Sequence, residues 1–163
     1  MLPSKREHEG CSLALALSYT ERFLPLQLLI PLPGVKLGLA NIVTLIALYL
    51  LGPGAAFGIL IPRCILGAVF GGGITGLLFS LTGGLFAMSV MALCRRNPAL
   101  SVYGVSILGA AAHNVGQILS AMMLMQSVYV GAYLPYLLVV SVFTGCATGA
   151  AGAGVLRVLR GRV

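Results

Sequence analysis

Apolar runs of about 15 to 25 residues, separated by short glycine, proline or basic breaks, account for nearly the whole chain. The pattern predicts six helical segments, at about 10–24, 36–51, 55–70, 74–94, 99–125 and 136–155. Gly52-Pro53-Gly54 closes the second, Gly71-Gly72-Gly73 the third and Arg95-Arg96-Asn97-Pro98 the fourth. Gly and Pro break helices because the first adds backbone freedom and the second lacks a donor. The stretch from Pro25 to Pro33 is apolar but interrupted by Pro25, Pro31 and Pro33, so it reads as a re-entrant or interfacial loop over the bundle. About 20 residues of helix cross the ~30 Å hydrocarbon core. These segments therefore predict an all-α integral membrane protein, a six-transmembrane-helix bundle forming a single transmembrane domain over residues 1–163.

Composition agrees: 59% of the 163 residues are hydrophobic, 8% are charged, and the mean hydropathy is +1.05. The net charge of +7 does not imply nucleic acid, because the basic residues sit at segment ends. Lys5, Arg6, Arg95, Arg96, Arg157, Arg160 and Arg162 all fall on one side of a six-span arrangement, which the positive-inside rule assigns to the cytoplasm. The expected location is the cytoplasmic membrane, multi-pass, with both termini cytoplasmic. The charged start followed by an apolar run imitates a signal peptide. No A-x-A-like site precedes the later spans, so a retained first helix is expected.

Aspartate is absent, and the acids are Glu7, Glu9 and Glu21 alone. A magnesium-diphosphate enzyme needs a cluster of carboxylates around the hard cation, which this inventory does not provide. A Walker A loop and a nucleophile elbow are also missing, and Cys11, Cys64, Cys94 and Cys146 are too widely spaced for a metal or redox motif. No catalytic residue, metal ligand or cofactor is expected, and the chain does not read as an enzyme.

Ionisable groups at membrane depth are costly and mark candidate sites. In the six-span arrangement Glu21, Arg22, Lys36, Asn41, Arg63, His113, Asn114 and Gln117 gather in the outer half, beneath the proline-rich loop. One carboxylate against three cations makes a net positive, outward-facing pocket suited to an anionic ligand. Alternatives stay open at this stage. Glu21 can pair with Arg63 or Lys36 simply to neutralise charge, His113, Asn114 and Gln117 can serve as interhelical glue, and Arg22 and Lys36 can snorkel to lipid headgroups. Small-xxx-small spacings at Gly34/Gly38, Gly54/Gly58, Gly67/Gly71, Gly72/Gly76 and Gly145/Gly149 predict close helix packing. Ala14 and Ser18 give the first segment a comparable small face.

SYTERFLPL at Ser18 to Leu26, PGVKLGLANIVTLIALYLLGP at Pro33 to Pro53, and AAHNVGQ at Ala111 to Gln117 together resemble the Gx transporter family, over roughly residues 12 to 155. That family also carries the description heptaprenyl diphosphate synthase component I, and is similar to the substrate-binding S components of energy-coupling-factor transporters. The resemblance implies an S-component-like bundle whose pocket opens outward and is capped by the loop between the first two helices. It implies that Ala14 and Ser18 contact a transmembrane coupling subunit driven by two ATPases. The expected function is that of a substrate-binding subunit taking up a small anionic molecule related to vitamins, flavins, isoprenoids or quinones. The alternative is a non-catalytic membrane subunit that supports polyprenyl diphosphate synthesis or quinone-linked extracellular electron transfer.

Overall fold

The structure is a computed structural model, described for residues 41–69 and 73–160. All regular structure among these residues is helical. Five α-helices follow in order: α1 (Asn41–Leu50), α2 (Pro53–Gly67), α3 (Gly73–Cys94), α4 (Val102–Met125) and α5 (Leu134–Arg160), with a 3-10 turn at Val128–Tyr133 before α5. Three stretches are long and apolar enough to cross a membrane: Gly73–Cys94, Val102–Met125 and Val128–Val158. α1 and α2 are apolar but shorter, at 10 and 15 residues. The described residues thus form an all-helical, membrane-type fold with three spans by length. The predicted first segment, with Ala14, Ser18, Glu21 and Arg22, and Lys36 at the start of the second, lie outside the described residues.

Each break has a local cause. Gly52 adopts φ 94 and ψ 174, a combination essentially confined to glycine, and Pro53 then supplies the fixed φ of a first helical position. Between α3 and α4, the Asn97 side-chain oxygen accepts from the Ala99 amide at 3.0 Å. The Ser101 hydroxyl then caps α4 by accepting from the Gly104 amide at 3.3 Å. α4 ends at Gln126, whose left-handed backbone (φ 50) turns the chain while its side-chain amide donates to the Met123 carbonyl.

α3 and α4 pack along their length, as do α4 and α5, so both α3 and α5 run in the direction opposite to α4. Two apolar clusters result. One, including Leu45, Leu48, Ile59, Leu60, Met88, Met91 and Val105, fills the end where Arg95 lies. The other, Phe79, Ile118, Ala121, Val130 and Leu137, fills the opposite end under the 3-10 turn. Outward-facing positions are apolar too, among them Ile74, Leu93, Phe143 and Val158, as expected of a surface that meets lipid rather than water.

Close approach of the helices is set by glycine. A Cβ at Gly145 would lie 2.5 Å from the Ile107 Cα, and one at Gly149 would lie 3.1 Å from the Tyr103 Cα, so the predicted Gly145/Gly149 pair does seat α5 on α4. Gly54 and Gly58 share that spacing yet face open space. The contacts Gly83 on α4, Gly84 on Leu60, Gly109 on Met91 and Gly152 on Leu45 were not among the predicted pairs.

Arg95, read from the sequence as a topology marker, has a second role. Its guanidinium donates to the Leu48 carbonyl near the end of α1 and lies 5.4 Å from the centroid of the Tyr49 ring. A cation at a helix C-terminus satisfies an orphan carbonyl and complements the helix dipole, and the ring adds a cation-π term. Arg95→Gln is expected to destabilise the chain by about 1–2 kcal/mol. The check is thermal unfolding in detergent, with a smaller loss for Arg95→Lys.

Candidate functional site

α4 carries two polar stripes. Gly109, His113, Gly116, Gln117 and Ser120 recur every three or four residues and turn toward α3, while Ser106 and Asn114 turn toward α5. Gly83, at the centre of α3, makes the first stripe possible. A Cβ there would come within 2.9 Å of the His113 ring and 3.1 Å of the Gln117 Cγ. Gly116 reciprocates, because a Cβ on it would meet the Thr82 carbonyl oxygen at 2.8 Å and the Gly83 Cα at 2.9 Å. The two backbones therefore touch, and His113 and Gln117 lie at mid-depth between the two apolar clusters.

Of the predicted site residues that are described, His113 and Gln117 are brought together on Gly83. Asn114, the neighbour of His113 in sequence, is rotated away by the helical step: its side-chain amide donates to the Leu137 carbonyl of α5 at 2.8 Å. That contact joins two helices, the interhelical role weighed for it from the sequence. Asn41 begins α1, is half-buried, and its carbonyl accepts from the Thr44 hydroxyl at 3.0 Å.

Arg63 lies on the inner stripe of α2 with Ala56, Ile59, Leu60 and Cys64, and is 4% exposed. Its register follows from the same helix: Leu60, one turn earlier, contacts Gly84 of α3, the residue next to Gly83. Gln117 meets the Gly83 level of α3 from α4, and Arg63 lies three residues beyond the Leu60–Gly84 contact on α2. One guanidinium nitrogen of Arg63, Nη1, is buried with no hydrogen-bond partner among the described residues. Gln117 is fully buried, and both its Oε1 and its Nε2 are likewise without one. Buried polar groups are nearly always paired, because an unmet donor or acceptor costs about 1–3 kcal/mol.

Two hydroxyl pairs flank the site. Thr82 and Ser120 share a 2.5 Å hydrogen bond across α3 and α4, and Ser106 and Thr148 share one of 2.7 Å across α4 and α5. Neither pair was foreseen. The three-to-four-residue recurrence of Gly, His, Gln and Ser along α4 would have revealed the stripe, although not its partner helix.

The family model for heptaprenyl diphosphate synthase component I matches residues 11–155. The chain belongs to that family. The resemblance read from the sequence and this match name the same family. No curated protein and no solved structure matches the chain. Within this family member, the third of the quoted blocks, Ala111 to Gln117, falls on the α3-facing and α5-facing stripes of α4 just described.

Proposed function

We propose that the chain is the substrate-binding membrane subunit of an energy-coupling-factor-like transporter, taking up a small anionic molecule from the outer side of the cytoplasmic membrane. The observation that carries this reading is Arg63: a guanidinium 4% exposed on the inner face of an apolar helix, with Nη1 unmet among the described residues. Burying a cation is costly unless an anion or a set of acceptors compensates it. The chain's own carboxylates are confined to positions 7, 9 and 21, so an anionic ligand is the natural counter-ion, with Glu21 shaping the charge balance of the pocket. Lys36, Arg22 and Asn41 complete the mouth of this pocket, and His113, Asn114 and Gln117 form its floor and its helix joints. The basic residues support six spans with both termini on the cytoplasmic side, and three of them, Arg95, Arg96 and Arg157, lie at one end of the described helices. Uptake then requires a transmembrane coupling subunit and ATPases, docked through Ala14 and Ser18.

The test is binding of inorganic diphosphate to the full chain in detergent, measured by thermal unfolding and calorimetry. Arg63→Gln is expected to weaken binding about tenfold, the equivalent of about 1.4 kcal/mol. If wild-type and Arg63→Gln chains respond alike, Arg63 does not anchor an anion and the reading is lost.

A second reading is favoured by the family's own description. As component I, the chain would be a non-catalytic membrane subunit that supports a separate polyprenyl diphosphate synthase. Stoichiometric co-purification of such a synthase from native membranes, with no coupling ATPase, is the result that selects it.

A further inference from the structure

The geometry points to the kind of group that Gln117 reads: we propose that the ligand presents a ring amide or imide edge, an N–H beside a C=O, to the Gln117 side chain. This rests on the ligand-binding reading above and narrows its chemistry. Gln117 is fully buried, and both of its amide atoms are unpartnered among the described residues. Its Cγ is held against Gly83, where even a methyl group would come within 3.1 Å, so the side chain is fixed at its base while its head has no partner among the described residues.

A primary amide has one acceptor and two donors in a single plane. A partner that satisfies Oε1 and Nε2 together must therefore supply a donor and an acceptor side by side. Ionised carboxylates supply acceptors alone, and phosphates and diphosphates present mostly acceptor oxygens, so neither sets a donor beside an acceptor in the plane of the Gln117 amide and Oε1 is left largely facing lone pairs. An isolated hydroxyl meets one atom well and the other poorly. A cyclic amide or imide meets both through two parallel hydrogen bonds, and an imide does so whichever way the Gln117 head is turned. Arg63, which has only donors, takes the anionic part of the same molecule. The ligand class is then a compound with an acidic or phosphorylated end and a heterocyclic amide or imide at the other, rather than a simple prenyl diphosphate.

Thermal unfolding of the full chain in detergent tests this with uracil and alloxazine, with the forms of each methylated at both ring N–H groups, and with inorganic diphosphate. The ring imides are expected to raise the unfolding midpoint. The methylated forms are expected to bind at least about tenfold more weakly, because a site built to pair an N–H rejects the analogue that lacks it. Gln117→Leu is expected to abolish the imide response while keeping the diphosphate response, and Arg63→Gln to weaken the diphosphate response about tenfold while keeping the imide response. No imide response, or an equal one from methylated forms or from Gln117→Leu, overturns the inference. In that case Gln117 meets a water molecule or packs unpaired, and a surviving diphosphate response leaves the anion-binding reading intact. Loss of the diphosphate response from the wild type removes that reading instead.

Discussion

Gly145→Ala is expected to lower the stability of the detergent-solubilised chain by about 3 kcal/mol, the upper end of the ordinary cost of overpacking. The added methyl would sit 2.5 Å from the Ile107 Cα, 3.0 Å from its amide nitrogen and 3.1 Å from its side chain. The nearest obstacle is backbone, which cannot rotate away as a side-chain end can. α5 would have to lift from α4, and the next contacts along the same seam would loosen with it: Gly149 on Tyr103, and the Ser106–Thr148 hydroxyl pair at 2.7 Å. Membrane helices gain their association from such contacts, since lipid tails compete equally for apolar surface. Gly58→Ala is the matched control. Its Cβ would have nothing within 4 Å, so the change is expected to be neutral or slightly stabilising by a few tenths of a kcal/mol. Equal midpoints for the two variants would show that the α4–α5 seam does not limit stability.

That comparison also shows what a sequence of this kind reveals. The apolar runs placed α3, α4 and α5, because hydrocarbon thickness fixes helix length whatever the neighbours are. The second and third segments, read at about 36–51 and 55–70, appear as Asn41–Leu50 within its described part and as Pro53–Gly67. The helix faces were harder to read. In a chain apolar on every side, hydrophobic periodicity does not say which stripe points inward, so Gly54/Gly58 and Gly145/Gly149 look the same on paper while one pair is open and the other closed. Gly83 and Gly116 bring the α3 and α4 backbones into contact, and neither was among the glycine pairs read from the sequence.

The candidate site was legible as a set of residue types and less so as an arrangement. Rarity alone marks Arg63, His113, Asn114 and Gln117 in an apolar sequence. The division among them is a matter of angle: residues 113 and 117 share one face of α4, and residue 114, one helical step of about 100° further round, faces α5. Arg95 could not be read as the cap of α1 because its acceptor, the Leu48 carbonyl, is 47 residues away along the chain.

Gln117→Leu gives the most discriminating change in stability, because its expected sign is opposite to that of most core substitutions. Among the described residues its donor and acceptor are buried without a partner, and each buried group left unmet costs about 1–3 kcal/mol relative to a satisfied one. Leucine has nearly the same volume and no polar atoms, and Ala121, one turn further along the same helix, belongs to an apolar cluster. Stability without ligand is therefore expected to rise by about 1–3 kcal/mol, read as a higher unfolding midpoint in detergent. Gln117→Glu is expected to lower it, since a carboxylate at full burial adds a desolvation cost and has no donor. A residue kept at the expense of stability is the usual mark of a binding group, whose cost is offset when its partner arrives. If Gln117→Leu instead loses stability, the amide is satisfied in the native protein, by water or by the first forty residues of the chain, and Gln117 is part of the scaffold rather than of the site.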